Sequence, residues 1–160
     1  MGFRFADNLL SSNRDSNLGF AFEKGCAMSS PIPGSVASLL SQARHIWAEA
    51  VLETQPAEKY RGAHIAALRA AASVLALRAR PAVTGNRRPT SAWVLLDRLA
   101  PELSEWSAYF SDSARRRAAI EAGSVSVVSE RDADDLLRAA GEFISMVERM
   151  AGMLSLDAAS

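Results

Sequence analysis

The stretch between Pro56 and Pro81 constrains this chain more than any other. It has no internal proline, and Ala63, Ala66, Ala67, Ala70, Ala71, Ala72 and Ala76 cover much of its surface. Alanine is the best helix former because it loses no side-chain entropy and buries no polar group. Proline suits the first helical position, where its missing N–H costs nothing, and stops a helix that runs into it. The spacing therefore predicts one long helix over residues 56–80. Glu58 falls in its first turn, where a negative charge suits the helix dipole. Its main stripe is Tyr60, His64, Leu68, Ala71 and Leu75, and apolar residues extend around both flanks. Small side chains let neighbouring helices come close, so this helix is expected to be the most buried of a bundle.

The rest of the chain supplies the neighbours. Val36, Leu39, Leu40, Ala43, Trp47, Ala50 and Val51 recur at three- and four-residue steps, which predicts a first helix over residues 35–53, capped by Ser35. Arg44, His45 and Glu49 lie off that stripe, and His45 reads as solvated. A third helical region starts near Thr90 or Ser91 with Trp93, Leu95, Leu96 and Leu99. Pro101 kinks it or starts a new helix, after which Leu103, Trp106, Tyr109 and Phe110 continue the pattern. A further short helix, carrying Arg115, Arg116 and Arg117, is expected over residues 111–123, followed by an extended connector to Val128. Ser129 and Asp132 resemble a capping box that opens the last helix. Leu136, Leu137, Ala140, Phe143, Ile144, Val147 and Met150 form its stripe, and fraying is expected from Gly152.

Short connections join three of these pieces, which favours antiparallel neighbours. The reading is an all-α, antiparallel up-and-down four-helix bundle with a kinked third helix and a short extra helix, over residues 35–155, with a frayed tail at 156–160. A hydrophobic share of 49% is enough for one core, and 7% aromatics favours packed helices over a β-sandwich. Residues 1–34 have no sustained period and end in the breakers Pro31, Pro33 and Gly34. They read as a disordered leader, and Met28 reads as a natural start, with the upstream residues a translation-start artefact. The competing reading is a docking peptide anchored by Phe3, Phe5, Phe20 and Phe22.

Charge is balanced, with 18 basic and 18 acidic side chains, which argues against a strongly basic nucleic-acid binder. The distribution is uneven. From Lys59 through Arg88 there is no acid, whereas the last helix carries Glu130, Asp132, Asp134, Asp135, Glu142 and Glu148. Pairing between the second and last helices, or a solvated face, is favoured over an electropositive face for phosphates. Arg61 and His64 are three residues apart, and such a pair could serve acid–base chemistry on a phosphodiester. The position of His64 in the apolar stripe favours a hydrogen-bonded core residue instead. The three consecutive arginines point about 100° apart on a helix and cannot converge on one small ligand.

One cysteine, Cys26, excludes an internal disulfide or a cysteine metal cluster and points to a reducing compartment. Two histidines are too few for a His-rich zinc site, while a two-carboxylate metal site stays open. No apolar run reaches the length of a membrane span, and no nucleotide-binding glycine loop, hydrolase elbow or EF-hand loop occurs. The chain is read as cytoplasmic, with no cofactor.

Residues 57–70 (Ala-Glu-Lys-Tyr-Arg-Gly-Ala-His-Ile-Ala-Ala-Leu-Arg-Ala), residues 93–106 with Leu99-Ala100-Pro101-Glu102-Leu103, and residues 129–150 resemble an actinobacterial family of small HEPN-domain proteins. The resemblance spans residues 35–154. It implies a helical bundle with a short additional helix and a tendency to dimerise. Many HEPN domains are metal-independent RNases or partners of nucleotidyltransferases. The catalytic ones resemble one another in an Arg, four to six residues and a His near the start of the last long helix. Here Arg131 lies near that place, but no histidine follows His64. No catalytic residue is therefore assigned. The function expected is a non-catalytic binding or assembly module, a homodimer or the partner of another protein, using its last helix and apolar stripes. The alternative is an RNA or nucleotide-phosphate binder, or a weak RNase, using Arg61, His64, Arg69, Arg87 and Arg88.

Overall fold

The computed structural model describes residues 34–78 and 90–157. The leader through residue 33, the expected loop with Arg87 and Arg88, and the last three residues lie outside the described residues. Among the described residues, five α-helices run in order: α1 (Gly34–Leu52), α2 (Pro56–Arg78), α3 (Ala92–Leu99), α4 (Ser104–Glu121) and α5 (Glu130–Asp157). Single 3-10 turns at Pro101–Leu103 and Val125–Val127 join α3 to α4 and α4 to α5. The described residues contain no strand.

The all-α reading holds, and α2 is the centre of the molecule. It packs against each of the other four helices, most extensively against α1 and α5. Its buried residues include Tyr60, Ala63, His64, Ala66, Ala67, Ala70 and Ala71. The benefit of small residues is direct at Gly62. A Cβ built there would stand 2.9 Å from the Ala50 Cβ, so α1 and α2 approach as closely as they do because glycine faces alanine.

Local chemistry accounts for the ends of the helices. Pro56 opens α2, and Ser91 caps α3 by accepting the Val94 N–H at 3.2 Å. Ala100, held by Pro101 out of helical conformation at φ −139° and ψ 69°, turns the chain between α3 and α4. The N–H of Gly123 reaches the Ile120 carbonyl at 2.8 Å, and that of Ser124 reaches Ala119 at 2.9 Å. This C-cap needs the left-handed backbone of Gly123, φ 94°. At α5 the capping box is real with aspartate: Asp132 N–H donates to Ser129 Oγ at 3.1 Å, and Ser129 N–H to Asp132 Oδ2 at 3.0 Å. The hydrogen bonds from Ser129 hold the Asp132 carboxyl below its ordinary range.

Four details differ from the sequence reading. Helix α1 begins at Gly34, so Ser35 lies inside its first turn rather than capping it. Residues 111–123 are not a separate short helix. They fall in the second half of α4 and its cap, and the short element is α3, cut off by the proline. The expected extended connector contains a 3-10 turn at Val125–Val127. Helix α5 continues through Gly152 to Asp157.

Aromatic rings fill the space between α2, α3, α4 and α5. Trp93 and Phe110 stack with centroids 5.0 Å apart, and Phe143 lies 5.3 Å from Phe110. Both phenylalanines are fully buried, each contributing roughly 1.5–3 kcal/mol by removal from water. Ion pairs between elements tie the outside: Lys59 Nζ to Asp134 at 2.9 Å, Arg116 to Asp132 at 2.9 Å, and Arg78 to Glu102, whose carboxyl this partner holds below its ordinary range. Lys59–Asp134 is a pairing of the second with the last helix, as the charge distribution favoured.

Candidate functional site

Two groups of residues come into question: the basic set on α2, and the outer face of α5.

His64 is 1% exposed and points into the aromatic core. Its ring meets Trp93 edge-on at 5.7 Å and Phe110 at 6.3 Å. Nδ1 lies 2.8 Å from Ser113 Oγ on α4. The Ser113 hydroxyl donates its one proton to the Phe110 carbonyl at 2.9 Å, so the imidazole is the donor and carries its proton on Nδ1. Nε2 is then a buried acceptor with no partner among the described residues. Burial, aided by the positive charge of Arg117, lowers the His64 pKa to about 3. The ring is neutral at physiological pH.

Arg61 does not join it. Its guanidinium grips Glu58 one turn back, at 2.6 and 2.9 Å, on the half-exposed surface. Arg69 is half-buried, with no hydrogen bond or ion pair to another described residue. Arg87 and Arg88 lie outside the described residues. Arg61 and His64 therefore share a helix without sharing a cleft. Of the three consecutive arginines, Arg116 pairs with Asp132 and Arg117 with Glu121 at 3.7 Å, while Arg115 is exposed.

The outer face of α5 is different. It lies between α4 on one side and α1 on the other. Two shallow depressions run along it and meet at Trp106, Arg138 and Glu142. Tyr109, 44% exposed, stands on the α4 side. On the α1 side, Trp47 lies across Gly141, where an added Cβ would come within 3.1 Å of the indole. The Trp47 Nε1–H donates to the Leu137 carbonyl at 2.9 Å, which fixes the ring. Beside it Arg44 clasps both carboxylate oxygens of Glu148, at 2.8 and 2.5 Å, and donates to Ser145 Oγ at 2.9 Å. Half-exposed aromatic and methionine side chains with arginine are what interaction surfaces are enriched in.

A family model described as SAV_6107-like HEPN matches residues 50–148. The chain belongs to the SAV_6107-like HEPN family. No curated protein and no solved structure matches it. The match covers α2 to α4 and most of α5, so the HEPN unit contains the whole aromatic core and most of the outer face of α5.

The family assignment makes the start of α5 the place to look for HEPN ribonuclease chemistry. With four to six residues intervening after Arg131, the histidine of that motif would fall at position 136, 137 or 138. They hold Leu136, 1% exposed; Leu137, packed on the core with its carbonyl taken by Trp47; and Arg138, paired with Asp135 at 2.9 Å. None can accept or donate a proton near neutrality as an imidazole does. Among the described residues, no group of three His, Cys, Asp or Glu is placed to hold a metal ion, and no helix is long and apolar enough to cross a membrane.

Sequence reasoning placed Trp47, Trp106 and Tyr109 in apolar stripes and did not single them out. It put Arg44 on the solvated side and Val51 on the buried one. Arg44 is half-buried in its clasp, and Val51 is 44% exposed. The usable signal was the far side of the last helix: with Leu136, Ala140, Phe143 and Val147 inward, Asp135, Arg138 and Glu142 must share the opposite face.

Proposed function

We propose that this HEPN chain is a non-catalytic helical module that works by binding protein, including a second copy of itself. The observation that carries this reading is the half-exposed aromatic face along α5, set against a histidine sealed in the core away from every arginine of α2. A ribonuclease needs its acid–base group in reach of substrate, and His64 at 1% exposure is not. The lone cysteine, Cys26, fits a reducing compartment, and the module is assigned to the cytoplasm.

Light scattering on the full chain across a wide concentration range tests self-association. A mass that rises to twice the 17.2 kDa of the chain supports it, and a strict monomer at the highest concentration rejects it.

Arg69, without an acidic partner among the described residues, gives the RNA or nucleotide-phosphate reading its one foothold. That reading requires RNA affinity that falls with salt and with replacement of Arg61, Arg69, Arg87 and Arg88 by alanine. Cleavage of RNA that disappears in a folded His64→Ala variant would overturn the non-catalytic reading.

A further inference from the structure

The face of α5 that fits a partner also complements itself. The charged side chains lining its two depressions are Arg44, Arg138 and Arg149 against Glu105, Asp135 and Glu142, three of each sign. Glu148, clasped by Arg44, adds a fourth acid beside them, and a face with no excess of positive charge offers little to a polyanion. Along the helix the signs alternate, from Asp135 to Arg138 to Glu142. Arg138 and Glu142 are one turn apart, so they stand about 6 Å from each other along the axis.

We infer that two copies of this chain meet antiparallel across the outer face of α5, with Arg138 of each copy against Glu142 of the other. This deepens the self-association reading and rests on it. A two-fold axis passing at the level of Ala140 brings position 138 opposite 142 twice, because in an isologous contact residue i meets j and j meets i. The same axis sets Asp135 opposite Ser145, a hydroxyl rather than a second acid. Ala139 and Gly141 fall level with each other on the two flanks of the contact, and Trp47 already covers Gly141. Trp106 and Tyr109 flank the contact on the α4 side, and Trp47 on the α1 side. Large rigid aromatic surfaces there exclude water from the charge pairs. Packed helices cross at roughly 20–50° and diverge away from the crossing point. The contact is thus confined to the central turns, and the arginines beyond them, Arg131 and Arg149, stay apart.

Charge reversal tests the pairing on the full chain, with the dissociation constant measured by sedimentation. Arg138→Glu places acids against acids at both symmetric positions, and Glu142→Arg places arginines against arginines. Each single variant is expected to dimerise at least tenfold more weakly than the wild type. The double variant, Arg138→Glu with Glu142→Arg, restores both pairs and recovers the dimer. An equimolar mixture of the two single variants also matches at both positions and forms a heterodimer. Arg138 and Glu142 are both exposed, and circular dichroism checks that each variant keeps its helix content. Single variants that dimerise as tightly as the wild type overturn this surface while leaving self-association standing. Single variants that weaken with no recovery in either the double variant or the mixture overturn the pairing. A wild type that stays monomeric overturns the underlying reading and this one with it.

Discussion

His64 on α2 and Ser113 on α4 are joined by a 2.8 Å hydrogen bond that spans 49 residues of sequence and is sealed from solvent. The bond satisfies one ring nitrogen and leaves the other without a partner among the described residues. Removing Ser113 Oγ would leave the imidazole wholly unsatisfied in an apolar pocket. Ser113→Ala is expected to cost about 1–3 kcal/mol of stability, read from denaturant unfolding.

The same imidazole makes the fold acid-sensitive. Its folded pKa is lowered to about 3, whereas the unfolded chain takes up a proton near the ordinary value of 6.5. The unfolded state binds more protons between those values, so stability is full above about pH 6.5 and falls as pH drops toward 3. The slope approaches about 1.4 kcal/mol per pH unit, which gives a loss of roughly 2 kcal/mol at pH 5. A His64→Leu variant is expected to lose that slope while keeping the carboxylate-driven limb at lower pH. Unfolding curves at pH 7.5, 6 and 5 for both proteins check the difference; parallel curves would show that His64 titrates normally.

The contact of Gly62 with Ala50 is expected to reject a methyl group. Gly62→Ala raises helix propensity by about 1 kcal/mol, but a Cβ 2.9 Å from another Cβ forces the two helices apart. Overpacking of this kind costs about 1–3 kcal/mol, so the net effect is a lower Tm. Ala50→Gly in the Gly62→Ala background should recover part of the loss. A double-mutant cycle by thermal unfolding measures the coupling, and simple additivity would place the strain elsewhere.

Gly123 holds the left-handed corner that ends α4. Gly123→Ala meets no side-chain crowding but places a Cβ where φ is 94°. The expected loss is about 1–2 kcal/mol, with little change in helix content by circular dichroism.

The Arg44–Glu148 clasp has attractive geometry, yet each side chain is more than a third exposed. Solvent screening limits it, and Arg44→Ala is expected to cost no more than about 1 kcal/mol, less at high salt. A larger, salt-independent loss would mean that the guanidinium acts by packing.

Much of this fold was legible because helix signals are local. Pro56, Ser91, Pro101 and Ser129 each mark a boundary through their own backbone or side-chain chemistry, and the alanine density of α2 foretold its burial. The misread points depend on chain that is distant. Nothing within residues 111–123 says that the helix begun at Ser104 runs through them. Arg44 looks solvated until Glu148, more than a hundred residues later, comes beside it. The burial of His64 was readable from its stripe, but its partner was not, since Ser113 belongs to a different helix. The outer face of α5 stayed hidden because it is assembled from three helices.

The boundary of the family match and the boundary of the folding unit do not coincide. The match begins at residue 50, whereas α1 begins at Gly34 and forms the most extensive helix pair in the molecule with α2. A fragment trimmed to the matched residues would lose Trp47 and Arg44 and strip one side of an alanine-rich rod that has few polar groups to offer water. Helix α1 is thus an integral wall of the domain, and a recombinant product that omits it is expected to aggregate.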